Sequence, residues 1–191
     1  MDLNAPDIAD LDHQLAHAQQ DAQALVAGLS EELAAWRLAV NLWSIAECLD
    51  HIATANRVYL AAMTEPAIRA RQQRRLRRGP ATPGLLGGWF VRTLEPPVKP
   101  TTRMKAPRKI APRVAPPLSD AVTALVASQN DVRVFLAACA DLDLHSVRFP
   151  NPFIGGLRFS LATGLNVIAA HQRRHLWQAW RIRRAAENAA P

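Results

Sequence analysis

Near the C-terminus, His171-Gln172-Arg173-Arg174-His175 sets two imidazoles four residues apart. On a helix this spacing puts both on one side, about one turn apart, where they can share a metal ion. At ~100° per residue, Leu161, Gly164, Leu165, Ile168, Ala179 and Ile182 fall on the same stripe. Both histidines therefore point inward, among apolar and small side chains. His13 and His17 repeat the spacing but lie opposite Leu11, Leu15, Ala18 and Leu25, so they are expected to face solvent. A third ligand must come from another helix, and His51 is the natural choice. It sits on the flank of its helix in a seam with Ser44, Cys48, Ala55 and Val58. Two ligands from one helix and one from another leave positions open for water or substrate. Imidazole donors suit zinc, nickel, iron or copper better than calcium or magnesium. Spacing alone leaves hydrogen-bonded core histidines as an open alternative. Gln178, three residues after His175, could bond a ligand or a bound water, or simply be a polar residue at the rim. His145 falls in a loop without an obvious partner.

Four helices are expected to position these groups. Ile8, Leu11, Leu15, Ala18, Ala22, Leu25 and Leu29 recur at helical steps between Pro6 and Gly28. The connection carrying Trp36 and Leu38 has no clear conformation. Ser44-Ile45-Ala46-Glu47 is a capping box that starts the second helix, with Trp43 placed to staple onto Cys48. That helix is expected to run to about Met63, because Pro66 opposes continuation. A third helix starts near Ser119 and ends around Ala140. A Pro- and aromatic-rich loop follows, Arg148 to Gly156, and Ser160 then caps a fourth helix to about Ala186. No alternating strand pattern is evident. The fold class is therefore all-α, a four-helix bundle with one long crossover.

That crossover, at about 65–118, breaks the pattern. It holds ten of the fourteen prolines, and its ten Arg and three Lys against two Glu exceed the whole chain's net charge of +7. The rest of the chain is therefore slightly acidic. A short helix is expected near Leu85 to Leu94. The run RARQQRRLRR offers Arg69, Arg71, Arg74, Arg75, Arg77 and Arg78 as candidate anion contacts, to phosphates or a membrane surface. No DNA-reading motif accompanies them, so a solvated arginine-rich helix end is preferred over nucleic-acid binding.

Two segments resemble the DinB/YfiT-like metalloenzyme superfamily. Trp43-Ser44-Ile45-Ala46-Glu47-Cys48-Leu49-Asp50-His51 is similar to its WSxxExLxH segment. Asn151-Pro152-Phe153-Ile154-Gly155-Gly156-Leu157, followed by Ala170-His171-Gln172-Arg173-Arg174-His175-Leu176-Trp177-Gln178, is similar to its HPxxGxL…HxxRHxxQ segment. Asn151 departs from the histidine many members carry there, a residue that is not a usual metal ligand. The resemblance implies an up-down-down-up four-helix bundle over most of the chain, with His51, His171 and His175 as metal ligands. It implies a divalent zinc, nickel or iron ion and transferase or isomerase chemistry with a low-molecular-weight thiol, or hydrolysis. Homodimers are common among such relatives. The insertion is long for the family. Arg174 belongs to the motif, with a structural ion pair as its expected use.

Composition narrows the competing functions. At 191 residues and 49% hydrophobic content, the chain can bury the core of a single domain over residues 1–191. Its first residues lack a basic start before an apolar stretch, and no apolar run is long enough to span a bilayer. A cytoplasmic protein is expected. Cys48 and Cys139 lie on different helices and exclude a disulfide scaffold. The last helix carries only Glu187 as an acid, so no dedicated carboxylate base is evident beside the histidines. A metal-dependent enzyme acting on a small molecule leads. The alternative is a non-catalytic protein that binds an anionic partner through the arginine-rich insertion. Trp177, roughly opposite the histidine face, needs cover from the insertion or from a second subunit.

Overall fold

The computed structural model describes residues 5–98 and 106–189. Three of the insertion's cations, Lys99, Arg103 and Lys105, lie outside them. Helix α1 spans Pro6–Val26, with Pro6 in its first turn and Gly28 just beyond its end at φ +67°. The unclear connection holds a short helix α2, Glu31–Ala35. Ser30 starts it by accepting from the Leu33 amide at 3.2 Å.

Helix α3, Ile45–Gln72, opens on the expected capping box. Ser44 Oγ accepts from the Glu47 amide at 3.2 Å, and Glu47 Oε2 accepts from the Ser44 amide at 2.9 Å. The end expected near Met63 is overturned, because the helix runs through Pro66 for another turn and a half. An interior proline costs about 3 kcal/mol. Pro66, Ala67 and Ala70 are all buried and continue the packed face, so burial outweighs the missing hydrogen bond. The arginine run therefore begins on a helix and leaves it at Gln73.

Helix α4, Gly84–Leu94, confirms the short helix of the crossover. A Cβ at Gly87 would sit 2.4 Å from Thr163 Oγ1, so glycine permits close docking on the last helix. A 3-10 turn at Arg108–Ile110 follows, then α5, Leu118–Cys139. Where only a loop was expected, β1 (Arg148–Pro150) and β2 (Arg158–Ser160) form an antiparallel ribbon. Phe149 pairs with Phe159 and both are buried, while Arg148 and Arg158 stay exposed on the other face. Three-residue strands are too short to show alternation in a sequence. Helix α6, Leu161–Ala189, is capped by Ser160, whose Oγ accepts from the Thr163 amide at 3.0 Å.

Helix α3 packs against α5 and α6, and α1 packs against the same two. Side-chain pairs fix their directions. Asn56 with Ser128 and Arg71 with Asp141 run in the same order along α3 and α5. Gln14 with Arg173 and Asp21 with Trp180 do so along α1 and α6. Against α3, α6 runs in reverse order: His51 meets His171, while a Cβ at Gly164 would meet Met63. The core divides into two clusters, one around Met63, Leu136, Phe149 and Leu165, the other around Leu25, Ile45, Leu49 and Leu125. Between them lies a buried polar layer. Asn56 donates to Ser128 Oγ at 3.1 Å, and Gln129 donates to Gln172 Oε1 at 2.9 Å. Among the described residues, no helix is long and apolar enough to cross a membrane.

Candidate metal centre

The buried side of α3 carries His51, and α6 brings His171 and His175 against it. One ring nitrogen from each lies within 4.8 Å of the others. His51 and His175 are buried and His171 is partly covered. The ring centroids of His51 are 4.8 Å from His171 and 4.4 Å from His175. His13 and His17 are exposed, as their face of α1 dictates. His145 has the partner its sequence position did not reveal: its Nδ1 donates to the Thr82 carbonyl at 2.8 Å.

Outer contacts set the tautomers. His51 Nδ1 lies 2.5 Å from the Ile110 carbonyl oxygen. A carbonyl can only accept, so Nδ1 carries the proton and Nε2 presents its lone pair. His175 Nδ1 lies 3.2 Å from Gln178 Oε1, with the same consequence. The bare Nε2 of His51 faces His171 Nε2 at 3.1 Å. This is the arrangement by which ligating histidines are oriented through their second nitrogen. Three imidazoles with inward Nε2 atoms make a donor set that fits a divalent transition ion.

Desolvation pushes the imidazoles of His171 and His175 well below the ordinary histidine range, and the positive charges of His51 and Arg174 add to it for both, with His171 adding further for His175. His51 moves the same way, again chiefly through burial, although the Ile110 carbonyl and Asp50 oppose the shift. The three rings are therefore neutral near pH 7, as ligands must be.

Trp43 closes one side. Its ring centroid lies 4.6 Å from that of His51 and 5.6 Å from that of His175. Its expected role as a staple on Cys48 missed this cover. No carboxylate joins the cluster among the described residues. The two acids nearest His51 in sequence are engaged elsewhere. Glu47 holds the Ser44 amide and Arg37, and Asp50 accepts from the Arg113 amide and Nε at 2.8 Å each. Ile110 and Arg113 belong to the crossover, which thus reaches α3 beside His51. A backbone carbonyl leaves no mark in a sequence, so Ile110 could not have been foreseen.

On the far side of α6, Arg173 pairs with Glu95 at 2.5 Å and donates to Gln14 at 2.8 Å. Arg174, largely buried, donates to the Thr93 carbonyl at 3.1 Å. Both tie α4 and its exit to α6. Trp177 is partly covered within the chain by the Arg181 guanidinium, 4.9 Å from its ring centre. Cys48 is fully buried with its thiol pushed far up, and burial pushes the Cys139 thiol up to about 11. Neither is a reactive thiol.

Four of the six arginines have partners within the chain. Arg71 is bound by Asp141 at 2.6 Å and Arg77 by Asp7 at 2.5 Å. Arg75 donates to Ser146 Oγ at 3.0 Å, and Arg69 lies 3.7 Å from Glu65. Arg74 takes a left-handed backbone, φ +51°, and Arg78 is exposed.

A family model described as the DinB superfamily matches residues 14–179. No curated protein matches the chain, and no solved structure does.

Proposed function

The chain belongs to the DinB superfamily, and on that premise we propose that it is a metal-dependent enzyme whose ion is held by His51, His171 and His175. The observation that carries this is the convergence of three ring nitrogens, two of them bared by hydrogen bonds at the opposite nitrogen. Zinc, nickel and iron are the ions such donors favour. A bound ion would supply Lewis acidity that sharpens a water or a low-molecular-weight thiol as nucleophile. The reaction class is S-transfer or hydrolysis on a small molecule. The chain's own part is to orient and desolvate. Ile110 and Gln178 fix two rings, and Trp43 keeps water from the faces of His51 and His175. With Glu47 and Asp50 engaged elsewhere, no side-chain carboxylate among the described residues stands ready as base. Such a site needs a substrate or cofactor group that can itself be deprotonated, which favours a thiol. The helix directions support an up-down-down-up four-helix bundle with residues 73–117 as the crossover between its parallel middle pair.

The test is metal analysis of the purified protein and of His171→Ala after equilibration with zinc, nickel or ferrous ion. About one ion per chain is expected in the parent, and far less in the variant at unchanged helicity. Equal metal in both, or none in the parent, would overturn the proposal.

A further inference from the structure

The C-terminal end of α3 carries a second cluster of basic side chains, of different chemistry. A cavity of about 340 Å³ opens there, lined by Pro66, Ala70, Gln73 and Val147 and by four arginines, Arg69, Arg75, Arg148 and Arg158. Its volume falls within the range of small-ligand pockets. Among the described residues no carboxylate lines it. From His51 to Arg69 is eighteen residues of helix, roughly 27 Å at the α-helical rise. The cavity is therefore not an extension of the histidine cluster.

Each arginine is brought in by a local device. Arg69 and Gln73 lie one turn apart on α3. Gln73 is the last residue of the helical path, and the left-handed Arg74 turns the chain so that the Arg75 amide bonds back to the Ala70 carbonyl at 2.9 Å. That closure satisfies carbonyls that would otherwise face an anion. Arg148 and Arg158 are diagonal neighbours on the exposed face of the ribbon, because Arg148 pairs with Ser160 and Pro150 with Arg158. The alternation that buries Phe149 and Phe159 puts both cations on the cavity side.

The charge is not balanced locally. Asp141 is held by Arg71, and Asp143 Oδ1 accepts from the Ser146 amide. Among the described residues Arg69 has only Glu65, and both side chains are more than half exposed, a geometry worth little. Arg158 donates to the Arg148 carbonyl at 3.2 Å and Arg75 to Ser146, both neutral acceptors. The Arg148 guanidinium has no hydrogen bond or ion pair among the described residues. Like charges set side by side destabilise a ribbon, and an anion between them would reverse the sign. The helix end contributes about half a negative charge against four positive ones.

We propose that this cavity is a binding site for a phosphorylated small molecule of the pyrophosphate type. Four guanidinium forks exceed what the two oxygens of one carboxylate can accept, whereas a diphosphate presents enough oxygens and charge to engage them all. The assignment keeps Arg69 and Arg75 from the arginine-rich run and adds the ribbon's Arg148 and Arg158.

The test is titration calorimetry with sodium pyrophosphate at low ionic strength, on the parent and on Arg148→Gln/Arg158→Gln and Arg69→Gln. One saturable site is expected in the parent. Affinity should fall roughly tenfold in the single variant and roughly a hundredfold in the double one. Affinity unchanged by the substitutions would overturn the proposal, and would be the result if pyrophosphate bound through an ion at the histidines. No binding by the parent would also overturn it. So would binding confined to single-stranded DNA or anionic vesicles, which would assign the arginines to a macromolecular surface. Should a variant melt early, hydrogen exchange in the parent decides. Pyrophosphate should slow exchange at residues 74–77 and 146–151, and no change there would refute the site.

Discussion

At one end of α3 three basic side chains are buried or partly covered, and at the other four are exposed to water. His51, His171 and His175 are desolvated, neutral, and fixed through their Nδ1 atoms or by close packing. Arg69, Arg75, Arg148 and Arg158 keep full charge around an open cavity, with weak or neutral partners. The difference follows from what each group can offer. An imidazole is a ligand only through a lone pair, so burial that removes its proton prepares it. A guanidinium cannot be deprotonated, so burial would only cost free energy, and it is useful where water can be exchanged for an anion.

The largest effect that could break this contrast is the acid response of the metal-free protein. The three histidines have folded-state values below the ordinary 6.5. Below that pH the unfolded chain takes up protons that the folded chain refuses. Stability should thus be constant above about pH 7 and fall below 6.5, each histidine that stays neutral in the folded chain adding ~1.4 kcal/mol per pH unit to the slope. Denaturant titrations from pH 8 to 5 measure this. His171→Ala should have a shallower slope, and a flat profile in the parent would show that the cluster is wet. The arginine end contributes nothing in this range.

Next in size is Gln178→Ala. If Gln178 orients His175, zinc affinity should drop by roughly 10–100-fold with helicity unchanged. Competition with a chromophoric chelator gives the number. Unchanged affinity would reduce Gln178 to a polar residue on the rim.

How far the sequence revealed either end depends on periodicity. The i, i+4 spacing of His171 and His175 within an apolar stripe was sufficient to aim both rings, and the same argument turned His13 and His17 outward. The capping box at Ser44 located the start of α3. The far end of that helix was misjudged, because Pro66 is read locally whereas its burial is a tertiary fact. The ribbon has too few residues to show a period, and so Arg148 and Arg158 gave no sign of meeting Arg69 and Arg75. The Ile110 carbonyl is invisible in principle, since every residue has one.

A smaller effect sharpens the arginine end. Arg74 occupies the left-handed position after α3 at φ +51°, where a side chain costs about 1 kcal/mol and glycine costs nothing sterically. The added freedom of glycine in the unfolded chain returns part of that. Arg74→Gly should therefore raise stability by a few tenths to about 1 kcal/mol, or roughly 2–4 °C at most for a chain of this size. Pyrophosphate affinity should not change, because Arg74 does not line the cavity. A fall in the melting temperature would mean that its side chain makes a contact worth more than the strain.

The smallest effect is expected for Asp141→Asn, which removes the charge that keeps Arg71 out of the cavity's balance. Arg71 grips Asp141 with both terminal nitrogens, at 2.6 and 3.0 Å. These bonds hold the carboxyl below its usual value. The sign follows: the pair stabilises the fold above the ordinary aspartate range, near 3.8, and the gain vanishes as pH falls through the folded-state value. Both side chains are substantially exposed, at 50% and 35%, so solvent screening limits the gain to less than about 1 kcal/mol. Asparagine keeps one oxygen for the guanidinium, and the loss should be smaller still. The melting temperature should drop slightly at pH 7, less so in high salt, and match that of the parent once the pH has fallen below the folded-state value of Asp141, where both side chains are neutral. Metal content should not move, since the two ends are separated by the length of the helix. Pyrophosphate affinity is the sharper observable. Freeing Arg71 adds a cation near the cavity, so affinity should hold or rise modestly, and a marked fall would place Arg71 and Asp141 inside the site rather than beside it.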